Sequence, residues 1–255
     1  MTFNLASGTL ANPLTVANLG TGTVTINQTT AYSTLSGTLT LNRPTTITGG
    51  GSDRVAISGK ITGNVGTLTV IGAPRVTFDQ TVGNANDFTG DVVITAGALQ
   101  LNTIYGLPSF ADVTVNSGAT FRLAPGANST VTIDSLNGAG AISGDTGNGN
   151  YFKTLSIGNN GGGGTYSGVI SDGPANSGPI AITKNGIGTY SLNALGTPGA
   201  LYYVVASGNI KAPMSAWIPV VGGTNTASSP SGTWSCVVSN PAPVFYRSIA
   251  VNPAP

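Results

Sequence analysis

Residues 87–102 read DFTGDVVITAGALQLN and give the clearest indication of the fold. It contains two short runs of alternating apolar residues, VVI and LQL, separated by Thr95-Ala96-Gly97. Alternation with a period of two is typical of a β-strand with one buried face, and glycine permits a bend that other residues resist. The stretch therefore predicts a strand, a corner and a second strand.

A second stretch, DVTVNSGATFRL at residues 112–123, repeats this pattern. Asp112 and Gly118 follow Asp91 and Gly97 by 21 residues. About 20 residues are enough for three short strands and their corners to close one turn of a β-solenoid. We therefore predict that Gly97 and Gly118 are structural corner residues that lie above one another in adjacent coils.

A third stretch, PIAITKNGIGTYSL at residues 179–192, again runs strand, glycine, strand, and makes Gly186 and Gly188 further predicted corner residues. Short β-branched runs bounded by Gly, Asn, Asp or Pro recur over residues 1–196, and no run has helical periodicity. The fold class predicted for this region is an all-β, right-handed parallel β-helix.

Residues 197–255 have a different composition, rich in aromatic residues and proline. We predict a small β-sandwich-like module there. Its prominent aromatic residues, Trp217, Trp234 and Tyr246, have two interpretations. They form the core of a cap on the last solenoid coil, or they form a stacking platform for sugars.

Composition argues against several functions. Charged residues are 7 % of the 255 residues and the net charge is +1, which gives no reason to expect nucleic-acid binding. The chain has no His, no Glu and a single cysteine, Cys236. We therefore expect no catalytic residues, no cofactor and no metal site, and interpret the acids Asp91 and Asp112 as turn residues. No apolar run is long enough for a transmembrane helix, and the first residues do not resemble a signal peptide.

Thr-x-Thr pairs raise the possibility of a flat ice-binding surface, because they occur at 23/25, 38/40 and 67/69 among other places. Their spacing along the sequence is irregular. The coils at 91–101 and 112–122 have no such pair. We therefore expect no regular double rank of threonines.

The repeated phrases resemble a known family. Residues 87–101, the run TYSGVISDG at 165–173 and the run ITKNGIGTYSL at 182–192 are similar to the autotransporter-associated β-strand repeat. The resemblance covers about residues 60–196. It implies a β-helical passenger-like region of a secreted bacterial surface protein, without catalytic residues to transfer to this chain. Ala216-Trp217, Gly232-Thr-Trp234 and Phe245-Tyr-Arg247 resemble a module that ends such proteins in environmental bacteria.

These observations predict a non-catalytic extracellular structural protein, secreted or on the cell surface. It is expected to be a stalk or adhesin, or a subunit of a self-assembling fibre; the alternative is a carbohydrate-binding surface protein that uses the aromatic C-terminal module. The first coil has no predicted cap, so head-to-tail self-association is expected, besides contacts with other cell-surface components or glycans. The runs TWSCVV and PVFYRSIAV are the predicted source of strands that pair with the first coil.

Overall fold

A computed structural model describes most of the chain. The described residues are 1–29, 32–49, 52–144, 151–172, 179–186, 189–195, 199, 201–209, 212–228, 233–238 and 244–251. The protein is all-β, and about 3 % of it is helical. The strand-and-glycine pattern had predicted this fold class.

Parallel strands between residues 2 and 195 form a β-solenoid of about 7 turns, which confirms the predicted architecture. A 3-10 turn, Val82–Asn84, lies between β10 and β11. The strands are β1 Thr2–Leu5, β2 Gly8–Leu10, β3 Leu14–Val16, β4 Val24–Gln28, β5 Tyr32–Leu35, β6 Leu39–Leu41, β7 Thr45–Gly49, β8 Arg54–Ile57, β9 Ile61–Thr62, β10 Asn64–Phe78, β11 Thr89–Leu101, β12 Asp112–Val115, β13 Ala119–Leu123, β14 Ser129–Ile133, β15 Ser135–Gly138, β16 Ala141–Gly144, β17 Lys153–Ile157, β18 Gly164–Tyr166, β19 Ile170–Ser171, β20 Ile180–Lys184 and β21 Tyr190–Leu195.

The coils stack to give three faces. On the first face the spatial order is β1-β4-β7-β10-β11-β12-β15-β18-β21. The second face contains β2, β5 and β8, the C-terminal halves of β10 and β11, and then β13, β16 and β19. The third face is made of two groups, β3-β6-β9 and β14-β17-β20. Because β10 and β11 bend round a corner, the first two faces belong to one sheet.

The stretch that decided the fold is one bent strand, β11. Its first half pairs with β12 and its second half with β13. Side chains that point inward on β11 lie above inward side chains of the next coil, and all eight are fully buried. These pairs are Val92 with Val113, Ile94 with Val115, Leu99 with Phe121, and Leu101 with Leu123. Stacked apolar side chains of this kind, each fully removed from water, supply the hydrophobic stabilisation of a solenoid.

The prediction that Gly97 lies above Gly118 is wrong by one residue. Gly97 pairs with Ala119, because β11 bends without interruption whereas a tight turn separates β12 from β13. In that turn the amide of Ala119 donates to the carbonyl oxygen of Asn116 at 2.9 Å. The close neighbour of Gly97 is Gly72 in the preceding coil: a Cβ atom on Gly97 would lie 1.1 Å from the Gly72 carbonyl oxygen.

The stretch 179–192 is not a third copy of the same corner. Its strands β20 and β21 lie on the third and first faces, whereas β11 joins the first face to the second. Gly186 lies at this different corner, with a φ of +64° and the Gly158 carbonyl oxygen 2.5 Å from where a Cβ would stand. Its positive φ and close packing support the predicted corner role. Gly188 lies outside the described residues.

Two buried amides replace strand pairing where the third face lacks a strand, between β9 and β14. The Gln80 side chain is fully buried and donates to the carbonyl oxygens of Ile57 and Gly59 at 2.9 and 3.0 Å. The Asn86 side chain accepts from the amide of Ile61 at 2.7 Å and donates to the Gly106 carbonyl oxygen at 2.8 Å. These side chains satisfy backbone groups that a β-ladder would otherwise pair.

The C-terminal unit is antiparallel and continues the sheets of the solenoid. Its strands are β22 Leu201–Ser207, β23 Ile218–Thr226, β24 Thr233–Val238 and β25 Val244–Val251, with a 3-10 turn at Met214–Ala216. β24 pairs with β21, and β25 lies between β20 and β22. The predicted small C-terminal β unit is therefore confirmed, and its strands cover the last coil.

Candidate functional site

The two tryptophans predicted as possible ligand contacts lie in the interior of the C-terminal unit. Trp217 is 6 % exposed and its indole Nε1 donates to the Ala212 carbonyl oxygen at 3.0 Å. Trp234 is 7 % exposed and stacks on Tyr202, with ring centroids 5.5 Å apart and planes 8° from parallel. Neither indole offers a free face to a sugar ring, so both side chains act as core of the cap.

The third predicted contact residue, Tyr246, lies in β25, where its backbone is opposite Ala206. Its side chain is outside the described part of the structure. The single cysteine, Cys236, is buried in β24, and burial raises the pKa of its thiol. A buried thiol with a raised pKa behaves as a small apolar residue rather than as a nucleophile.

Asp91, near the start of β11, and Asp112, at the start of β12, occupy corresponding positions on two adjacent coils, as their 21-residue separation predicted. No acid occupies the corresponding position in the coils on either side, because Asp91 is opposite Thr67 in the preceding coil and Asp112 is opposite Ser135 in the following coil. Within the described ranges no group of three metal-binding side chains is present. Both acids are exposed, but they lie within strands β11 and β12, so the predicted turn role is wrong.

A column of outward-facing threonines runs along the first face. They are register neighbours from coil to coil, interrupted once by Val93; they are Thr2, Thr25, Thr46, Thr69 and Thr114. Their irregular sequence spacing follows from unequal coil lengths. The next outward column begins with Asn4, Asn27, Thr48 and Ile71. In these two columns threonines therefore lie side by side in β7, but not in β1, β4 or β10. This surface carries hydroxyls and amides without a charge over β1, β4, β7 and the first half of β10.

At the N-terminal end, the first coil has a strand neighbour on one side only among the described residues. A cavity of about 410 Å³ is lined mainly by apolar side chains of the first two coils, including Phe3, Leu14 and Leu19. Leu19 is 79 % exposed, and Phe3 and Leu14 are only partly buried, unlike their counterparts in the middle coils. The Arg43 guanidinium closes one side by donating to the carbonyl oxygens of Leu19 and Gly22. The first coil therefore presents an apolar cross-section.

At the other end two strands stand at sheet edges, β24 in the large sheet and β23 in the six-stranded sheet. Each carries an exposed apolar residue: Val237 on β24 is 59 % exposed and Ile218 on β23 is 72 % exposed. β25 pairs with β22 along most of its length, but with β20 only at Val244 and Phe245. Both runs predicted to add strands to another copy therefore keep an edge among the described strands: TWSCVV along β24, and PVFYRSIAV along the part of β25 after Phe245.

The strongest charge cluster lies at the corner between the first and second faces. Tyr32, Arg54 and Arg75 are register neighbours on three successive coils. The Arg54 guanidinium lies over the Tyr32 ring, 4.7 Å from its centroid, and forms an ion pair with Asp53 at 3.2 Å. Arg75 reaches the same carboxylate at 3.5 Å. Sequence reasoning missed this corner, although the residues are separated by 22 and 21 positions, about one coil each.

The glycine-rich corner at residues 158–164 is ordered by side chains of neighbouring coils. The Asp134 carboxylate accepts from the amides of Asn160 and Gly162 at 2.7 and 2.9 Å. The buried Lys184 ammonium donates to the carbonyl oxygens of Asn185 and Gly186. Burial lowers the pKa of Lys184, and the charge of Asp134 acts in the opposite direction. These contacts have a structural role.

No family model, no curated protein and no solved structure matches this chain. Among the described helical segments, none has the length and apolar character required to span a membrane.

Proposed function

We propose that this chain is a non-catalytic structural protein of the cell exterior that assembles head to tail into a fibre. The observation that supports this most is the apolar first coil, where Phe3 and Leu14 are only partly buried by the described residues. A coil of a solenoid is stabilised by both neighbours, so an exposed apolar coil end drives association.

The opposite end of a second copy is the occupant that the topology favours. β1 and β24 are the terminal strands of the main path of the same large sheet. Pairing β24 of one copy with β1 of the next would continue that sheet from copy to copy, by the strand addition that exposed edges support. The contact is heterologous, because different surfaces meet, and a heterologous contact that does not close generates a filament.

The stalk or adhesin role uses the same architecture in a different arrangement. A rigid solenoid with a hydroxyl and amide surface extends from its anchor and resists proteases, because its backbone is paired coil to coil. A resemblance to the autotransporter-associated repeat supports placement outside the cell. The aromatic alternative loses support, because Trp217 and Trp234 are buried.

The test is the oligomeric state of the purified chain as a function of concentration, by light scattering and electron microscopy. We expect filaments, and we expect Leu19→Lys and Val237→Lys to reduce them strongly. The matched control is Val82→Lys, since Val82 is 76 % exposed but lies in the 3-10 turn between β10 and β11, away from both ends. Wild-type chains that remain monomeric at high concentration would contradict the fibre and leave the stalk or adhesin.

A further inference from the structure

The corner formed by Tyr32, Arg54 and Arg75 has more cationic hydrogen-bonding capacity than its own carboxylate uses. Arg54 and Arg75 share Asp53, so one carboxylate faces two guanidinium groups. Each guanidinium has five N–H donors in a planar fork. The Nε atom of Arg75 is buried and has no hydrogen-bond partner among the described residues. The corner therefore carries one uncompensated positive charge and unused donors.

These side chains remain open to solvent and are held in position. The side chains of Arg54 and Arg75 are 31 % and 27 % exposed, and Tyr32 is 39 % exposed. The Tyr32 hydroxyl accepts from the Thr34 hydroxyl at 3.0 Å, which fixes the ring. The ring in turn supports the Arg54 guanidinium by a cation–π contact. A stacked guanidinium keeps its edge available for a bidentate carboxylate.

The corner adjoins an uncharged surface suited to hydroxyl groups. Gln28, at the end of β4, is fully buried and donates to the Arg54 carbonyl oxygen at 2.8 Å, which ties the corner to the first face. Asn27 and Thr48 stand next to this end of the face as outward register neighbours. Amide and hydroxyl side chains both donate to and accept from sugar hydroxyls.

We propose that this corner binds a uronate carboxylate of an acidic polysaccharide, with Arg54 and Arg75 on the carboxylate and Asn27 and Thr48 beside the sugar hydroxyls. The proposal deepens the cell-surface role and rests on it. Two cations next to one acid are few for a nucleic-acid backbone, which contacts an extended row of Lys and Arg. Asp53 is a competitor for the same guanidinium groups, so its removal is predicted to strengthen binding.

Binding of polygalacturonate to the full chain tests this, measured by calorimetry on dilute protein, with neutral dextran as the reference polymer. We expect Arg54→Gln and Arg75→Gln to weaken binding about tenfold each, because each removes a charge-assisted contact. Asp53→Asn is expected to tighten it. Arg122→Gln, on the outer side of β13, is the matched control and is expected to leave the affinity unchanged.

Wild-type protein that fails to bind, or equal affinities for Arg54→Gln and Arg122→Gln, would overturn the proposal. Equally tight binding of single-stranded DNA of matched charge would also overturn it, since that indicates general attraction to polyanions. Filament formation is measured on the same variants. Filaments with no uronate binding contradict only the glycan site, and uronate binding by monomers contradicts only the fibre.

Discussion

The two ends of the solenoid differ in how the apolar interior of the terminal coil is covered. At the C-terminal end, β24 and β25 pair with the last solenoid strands, and Trp234 and Cys236 join the continuous core. At the N-terminal end, the first coil has a paired neighbour on one side among the described residues, and Phe3 is only partly buried. An inward-facing apolar residue is therefore buried by the next coil as much as by its own.

In the middle of the solenoid, adjacent coils are stacked so closely that some positions have no space for a side chain. Gly97 is such a position. Gly118 also has a positive φ, +83°, but no atom lies within 4 Å of the point that a Cβ would occupy there. Substitutions at these two glycines therefore distinguish the energetic cost of the backbone conformation from the cost of close coil stacking.

Gly97→Ala is expected to have the largest effect. Its Cβ would overlap the Gly72 carbonyl oxygen, so the two coils must separate, at a cost on the order of 4–5 kcal/mol of unfolding free energy. Gly118→Ala requires only the left-handed conformation and should cost about 1–2 kcal/mol. Urea unfolding of both variants measures the difference. Equal losses would show that coil stacking at Gly97 is less tight than described.

Phe121→Ala and Phe3→Ala compare a middle coil directly with the first coil. Phe121 is fully buried, so its truncation should cost about 3–5 kcal/mol. Phe3 is partly exposed and lies in the first coil, and its truncation should cost about 1 kcal/mol in monomers. The measurement is urea unfolding at a concentration where the chain is monomeric. A loss at Phe3 that grows with protein concentration would support the proposed assembly, which would bury this residue.

The smallest effect is expected at a charged pair on the side of the solenoid. Lys60 Nζ lies 2.5 Å from the Asp87 carboxylate, and hydrogen bonds from Lys60 and then Thr62 lower the pKa of Asp87 below its ordinary value of 3.8. Since both side chains are substantially exposed, Asp87→Asn should cost less than about 1 kcal/mol at neutral pH. A lowered folded-state pKa means that this stabilisation is present above pH 3.8 and is lost as the pH falls through the folded value.

Thermal unfolding from about pH 7 to about pH 2 measures this dependence, with Asp91→Asn as the matched control at an exposed acid of β11. We expect the wild type and Asp87→Asn to converge in stability at the acid end. A difference that persists unchanged at the lowest pH would contradict the assigned role of the ion pair.

Much of the architecture was predictable because strand and corner signals are local. Alternation in β11 and β12 identified which side chains point inward, and the 21-residue offset identified which coils stack there. The glycine correspondence failed because the turn at Asn116 adds a residue that the uninterrupted bend of β11 does not need. The residues of the charged corner were visible in the sequence, but only the register of three coils brings Tyr32, Arg54 and Arg75 together.

The sequence by itself determined an all-β chain, the inward faces of its strands and the change of composition near residue 196. The tertiary structure alone decided that Trp217 and Trp234 are buried, because burial depends on strands that are distant in sequence. It also decided that irregularly spaced threonines form one column, because coils of unequal length still stack strand on strand. Backbone hydrogen bonds between strands fix that stacking, and the number of residues between coils does not show which residues stack.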